Sequence, residues 1–206
     1  MKILIGTPIH ICKNYAMERW LENVSKVQAK TPADLLMIDN SPGPDYVERV
    51  KSYCVKYGIE NYEIEHLELD SQKLSSDMRI NVAQETLRRK ILTNDYDAWF
   101  SWESDQLIPA NTLDELMRLM DMGNYAMALS NCWARYDDSQ LMTDMGCTLI
   151  KRVCLERACF LPERNGSISL NESDRYRSTF KQRVLMAGGN YIEIFGIITP
   201  IYHLDK

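Results

Sequence analysis

The chain has 206 residues, 45% of them hydrophobic and 26% charged, with a formal net charge of −5. That is an ordinary globular composition, long enough for one sizeable core and, by default, a single domain over 1–206. The acidic balance argues against a nucleic-acid groove, and Arg88-Arg89-Lys90 is too short a basic run to count, reading instead as the solvated end of a helix.

The opening residues 1–5 meet Gly6-Thr7-Pro8 at once, too short for the apolar core of a signal peptide, and no run approaches the length of a membrane span. Six cysteines occur without a CxxC pair, so the expectation is reduced, mostly buried thiols in a cytoplasmic protein. Cys147, Cys154 and Cys159 cluster but lack activating neighbours.

Residues 2–6 form a short apolar run and read as the first, central strand of a parallel sheet. Residues 14–30 carry Tyr15, Met17, Trp20, Leu21, Val24 and Val27 at spacings of three and four, which predicts an amphipathic helix. A second apolar run, 34–38, ends in the turn residues Asp39-Asn40-Ser41-Pro42-Gly43. A helix over 45–57 comes next, with Gly58 as its C-terminal cap. Residues 62–69 alternate loosely and suit a strand at or near a sheet edge. Ser75-Ser76-Asp77 can cap a helix running to about 92.

Residues 97–102 are apolar and aromatic, as expected of a strand covered on both faces. The run stops at Glu103-Ser104-Asp105, and a helix begins near Asn111-Thr112 and closes at Gly123. Residues 125–130 are again a buried run. Strand and helix thus alternate four times before a fifth strand, the signature of βαβ units and a doubly wound sheet. Beyond 131 the regularity fades. Residues 145–150 suit a strand, 153–160 a short helix or strand, 163–173 a polar loop, 178–187 a helix, and 190–202 a β-rich tail.

The chemistry centres on the acidic end of the 97–102 strand. Residues two apart in a strand point the same way, so Glu103 and Asp105 are expected to face one crevice at the strand's carboxyl end, where open α/β sheets put their ligands. Two carboxylates there repel unless a cation lies between them, and a hard oxygen site suits Mg²⁺ or Mn²⁺ shared with substrate phosphates. The competing reading is a strand end with two solvated acids. Asp39 succeeds the second strand and can accept from a uracil N–H or a ribose hydroxyl, or else shape an Asx turn. Arg79, near Asn81 at the start of the third helix, can pair with a diphosphate or be a surface residue beside Asp77. His203 is a candidate metal ligand at a strand end, and His10 lies just past the first strand, within reach of the crevice. Glu172, Asp174 and Asp205 are candidates for a general base; for Asp174 the alternative is helix capping.

Neither G-x-G-x-x-G nor a Walker A loop succeeds the first strand. The chain instead resembles the family-2-like glycosyltransferases of the GT-A fold, over nearly its whole length. The residues that carry the likeness are the opening strand through Gly6-Thr7-Pro8, Ile38-Asp39-Asn40-Ser41 after the second strand, and Arg79-Ile80-Asn81 opening the third helix. Glu103-Ser104-Asp105 stands where the family has D-x-D, with Glu in its first position. Ala187-Gly188-Gly189 leads to a closing strand and His203. The family usually has Glu-Asp about ten residues before the Ala-Gly turn; here Glu172-Ser173-Asp174 lies further upstream.

The resemblance implies an α/β fold with a mostly parallel central sheet and helices on both faces. It divides the chain into a nucleotide-binding half, 1–106, and an acceptor-side half, 107–206. It implies an inverting, divalent-metal-dependent glycosyltransferase, with a UDP-sugar as the favoured donor and a glycan, lipid or protein as acceptor. Thr7, Pro8, Asp39, Arg79, Glu103 and Asp105 would hold the nucleotide, Asp105 and His203 the Mn²⁺ or Mg²⁺, and Asp174 would be the base. A chain ending soon after His203, without the extension or membrane segments of many relatives, points to a soluble acceptor or one presented by a partner. A homo-oligomer is left open. A sugar-1-phosphate nucleotidyltransferase and a non-catalytic nucleotide-sugar-binding domain are the alternatives.

Overall fold

A computed structural model describes residues 1–70, 73–130, 145–161, 163–164, 167–168 and 180–205. The first strand, β1 (Ile3–Ile9), sends Ile3, Ile5 and Ile9 into the core on one side of the sheet and Leu4 into the core on the other. It runs three residues past the predicted end, through Thr7 and Pro8. The Ile9 carbonyl accepts from Asn40 N–H at 3.1 Å, so the backbone of Pro8 turns the opposite way, to the side where pairing with the 98–102 strand has already ended at Gly6. The missing proline N–H therefore costs no ladder bond.

A single 3-10 turn, Ile11–Lys13, leads into α1 (Asn14–Lys30), whose Met17, Trp20, Leu21, Val24 and Val27 are buried. Then come β2 (Asp34–Asp39), α2 (Asp45–Lys56) and β3 (Tyr62–His66), the last at the sheet edge as predicted. Gly58 has φ +66, the left-handed conformation that its place after α2 demands. α3 (Ser76–Thr93) is capped by Ser75, whose hydroxyl accepts from Met78 N–H at 3.2 Å. β4 (Ala98–Trp102) is buried at every residue.

A two-residue strand, β5 (Gln106–Leu107), precedes α4 (Thr112–Met122) and β6 (Met127–Ser130). β7 (Cys147–Lys151) and α5 (Arg152–Arg157) are next, then a two-stranded hairpin of β8 (Glu163–Arg164) and β9 (Ser167–Ile168), within the segment expected to be loop. The chain continues through α6 (Phe180–Met186), β10 (Tyr191–Ile194) and β11 (Tyr202–His203).

The main sheet has the order β10-β6-β7-β4-β1-β2-β3. All its strands are parallel except β7, which runs antiparallel between β4 and β6. Helices α1, α2 and α4 pack on one face and α3, α5 and α6 on the other. Gly6 is required by this packing: its carbonyl accepts from Trp99 Nε1 at 2.9 Å, and a Cβ there would lie 2.6 Å from that nitrogen.

The β-rich tail expected over 190–202 is divided in the structure. β10 joins the main sheet, while β11 pairs antiparallel with β5 in a separate ribbon. Gly196, at φ +69, lies in the break between them.

Candidate functional site

The carboxyl ends of β1, β2 and β4 open onto a cleft of about 150 Å³. Thr7, Pro8, His10, Lys13, Arg79 and Glu103 are among its walls. Thr7 is held by its hydroxyl, which donates to the Trp102 carbonyl at 2.6 Å. Arg79 lies in the first turn of α3, partly exposed, so its guanidinium and the helix N-terminus give this wall positive character.

Glu103 and Asp105 converge, though not through the pleat of a strand. β4 ends at Trp102, and Gln106 N–H donates to the Glu103 carbonyl at 3.1 Å, closing a turn over Ser104 and Asp105. The turn begins because Glu103 N–H is still tied to the Gly146 carbonyl at 2.9 Å while the next residues leave the sheet. It is completed from the far end of the chain: Leu204 N–H donates to the Asp105 carbonyl at 2.8 Å, in register with the β5–β11 ribbon.

That ribbon brings His203 to the acidic pair. One ligand atom from each of Glu103, Asp105 and His203 falls within 4.8 Å of the others. His203 Nε2 is 3.4 Å from Glu103 Oε2 and 2.7 Å from Gln106 Nε2. Two carboxylates and one imidazole form a donor set that fits a divalent cation such as Mn²⁺, which accepts nitrogen more readily than Mg²⁺ does. Asp105 is only 1% exposed. Lys13 Nζ sits 2.8 Å from its Oδ1, and the Tyr15 hydroxyl 3.4 Å from its Oδ2.

Asp39 is fully buried at the end of β2. Its Oδ1 accepts from Ser41 N–H at 3.0 Å and from the Ser41 hydroxyl at 2.5 Å, which is the Asx-turn arrangement. Its Oδ2 meets His66 Nδ1 at 2.8 Å. Asn40, not Asp39, lines the cleft. His10 does line it, and its Nδ1 accepts from Cys12 N–H at 3.1 Å. Burial lowers the pKa of His10 below its ordinary value, and the charge of Arg79 lowers it further.

Glu172, Ser173 and Asp174 lie outside the described residues. Sequence reasoning missed Lys13, Gln106 and His66. Lys13 is an unremarkable lysine before a helix, and only the fold turns it toward Asp105. Gln106 sits next to the acidic pair, but its role depends on a strand 97 residues away. Of the cysteines, Cys12, Cys54, Cys147, Cys154 and Cys159 are free thiols; burial pushes Cys54 up to about 12 and Cys154 up to about 11. No described helix is long and apolar enough to cross a membrane.

No family model and no curated protein matches the sequence. Solved structures do match in fold. The mannosyltransferase PcManGT from Pyrobaculum calidifontis, in complex with GDP-Man and Mn²⁺, is 13% identical with a TM-score of 0.68, over 95% of this chain and 55% of that one. S. aureus TarS is 14% identical with a TM-score of 0.66, over 95% of this chain and 35% of that one. A shorter TarS, residues 1–349 in complex with UDP-GlcNAc, is 14% identical with a TM-score of 0.64, over 94% of this chain and 56% of that one. This chain therefore spans about a third to just over half of the length of these proteins. The likeness establishes a glycosyltransferase-like GT-A fold, the fold that the sequence resemblance implied.

Proposed function

We propose that this chain is a divalent-metal-dependent, inverting glycosyltransferase that moves a sugar from a nucleotide-diphosphate donor, preferably a UDP-sugar, to an acceptor hydroxyl. The observation that carries the reading is the convergence of Glu103, Asp105 and His203, drawn from two distant segments, beside a cleft walled by Arg79. Nucleotide sugars in two of the similar structures, one with Mn²⁺, support it.

In this reading residues 1–106 hold the nucleotide and 107–206 face the acceptor. Thr7 and Pro8 form the wall against which the nucleoside lies. Glu103 serves the ribose or the cation. Asp105 and His203 hold the cation, Mn²⁺ or Mg²⁺, which when bound supplies positive charge to the diphosphate. Arg79 adds a planar, bidentate donor to the same anion. Asp39 is fully buried and already bonded to Ser41 and His66, so its part toward a base or ribose is tested by Asp39→Asn. Asp174 takes the proton from the acceptor hydroxyl. The acceptor oxygen then bonds to the anomeric carbon as the bond to the diphosphate breaks on the opposite face. The acceptor is a glycan, lipid or protein hydroxyl.

The test is calorimetric titration of UDP, with GDP as control, in the presence and absence of Mn²⁺. Metal-dependent binding that disappears in Asp105→Ala supports the reading and identifies the base. Equal binding with and without Mn²⁺, unchanged in Asp105→Ala, overturns it.

A further inference from the structure

The buried carboxylate of Asp105 already has a cation of the chain's own beside it. Asp105 is 1% exposed, and Lys13 Nζ lies 2.8 Å from its Oδ1. Lys13 belongs to the 3-10 turn that joins β1 to α1, a segment 92 residues away in the sequence, and about a third of its side chain remains in contact with solvent. Lys13 and Glu103 also line the same cleft. An ammonium on a four-carbon stem is a movable point charge, able to change partners without moving the backbone.

We infer that Lys13 is an internal counter-cation that competes with the divalent metal for Asp105 and couples metal binding to diphosphate binding. This rests on the reading of Asp105 as a metal ligand. A divalent ion that takes Oδ1 has to displace Nζ or be weakened by like-charge repulsion from it. Once displaced, the lysine is left as a positive charge on the wall of the cleft, where a diphosphate is the natural new partner. Metal and diphosphate then help each other: the metal releases Lys13 for the anion, and the anion draws Lys13 off the metal's ligand. By linkage the effect is reciprocal. Lys13 is a positioning residue in this scheme, since its effect on the metal passes through Asp105.

The scheme makes an unusual demand. Removing a cationic residue should strengthen the binding of a metal cation measured alone, and weaken the help that UDP gives it. The experiment is titration of the full chain with Mn²⁺, monitored by electron paramagnetic resonance of the free ion, for the wild type, Lys13→Met, Lys13→Arg and Asp105→Ala, each with and without UDP. In Lys13→Met, Mn²⁺ affinity without nucleotide is expected to rise about tenfold, and the enhancement by UDP to shrink by a similar factor, within the usual range of coupling between sites. Lys13→Arg, which keeps the charge, should stay near the wild type. Lys13→Gln serves if the Met variant does not fold.

Melting temperature gives a second reading: Lys13→Met should lose stability in EDTA and regain it with Mn²⁺ to a greater extent than the wild type. If Mn²⁺ binds the wild type and is lost in Asp105→Ala, but binds Lys13→Met no more tightly, this inference alone falls. If Mn²⁺ binding is absent from the wild type, or survives in Asp105→Ala, the metal-site reading falls and takes this inference with it.

Discussion

Gln106 and His203 are direct partners across the β5–β11 ribbon, and their side chains meet at 2.7 Å between Gln106 Nε2 and His203 Nε2. The same imidazole nitrogen faces Glu103 Oε2 at 3.4 Å. Gln106 thus holds the ring of His203 in place beside the acidic pair. Replacing it should loosen the ring without removing a ligand. Gln106→Leu is expected to weaken Mn²⁺ binding by about 10–100-fold while leaving the fold intact. Calorimetry with Mn²⁺, alongside circular dichroism, checks both halves of that statement.

Arg79 lines the cleft from the first turn of α3. A hydrogen bond to a charged group is worth about 1.5–3 kcal/mol. Arg79→Ala should therefore lower UDP affinity by roughly 10–150-fold. Affinity for uridine, which has no diphosphate, should hardly change. Parallel titrations with the two compounds separate a phosphate contact from a general loss of the cleft.

The contrast between these residues shows what was legible in the sequence. Helix α1 fell where its spacing put it, because Met17, Trp20, Leu21, Val24 and Val27 make a stripe that only a helix can bury. The acidic pair was visible because two carboxylates after a buried aromatic run are unusual. The direction of β7 was not, since a run such as 147–151 is equally apolar in either orientation. Nor was the ribbon: two-residue strands carry no periodicity, and β5 exists only because β11 returns to pair with it. Lys13 and His66 owe their places to contacts across long stretches of chain, which no local pattern encodes.

Glu85 is a buried acidic residue, 2% exposed on α3. Its Oε1 accepts from Arg88 Nη1 at 2.8 Å and from Arg89 Nε at 3.2 Å, and its Oε2 accepts from Phe160 N–H at 3.0 Å. Arg88 Nε also donates to the carbonyls of Leu155 and Ala158, at 2.7 and 2.9 Å. The group thus fastens α3 to α5 and the residues after it. Removing one partner leaves the other charge stranded, so Glu85→Ala should cost about 3–5 kcal/mol. Urea unfolding monitored by tryptophan fluorescence measures it.

At Gly6 the cost is steric. An alanine Cβ would lie 2.6 Å from Trp99 Nε1 and 3.0 Å from Leu87 Cδ2. Trp99 is fully buried and cannot swing aside without giving up its 2.9 Å bond to the Gly6 carbonyl. Gly6→Ala is expected to destabilise the fold by about 1–3 kcal/mol, the usual cost of overpacking. The same urea series should show a lower midpoint with an unchanged slope.

His10 gives the pH dependence its sign. Its Nδ1 accepts from Cys12 N–H, which requires that nitrogen to be unprotonated. Burial first, and the charge of Arg79 second, lower its pKa below the ordinary 6.5, while Asp39 works in the opposite direction. Between 6.5 and the lowered value, the unfolded chain binds a proton that the folded chain refuses. Stability contributed by this group is therefore fully present above 6.5 and declines as the pH falls through that window. His10→Gln, which cannot be protonated, should flatten the fall in melting temperature between about pH 7 and about pH 5 relative to the wild type. A mutant curve parallel to the wild-type curve would show that His10 titrates alike in both states, against the burial that the structure gives it.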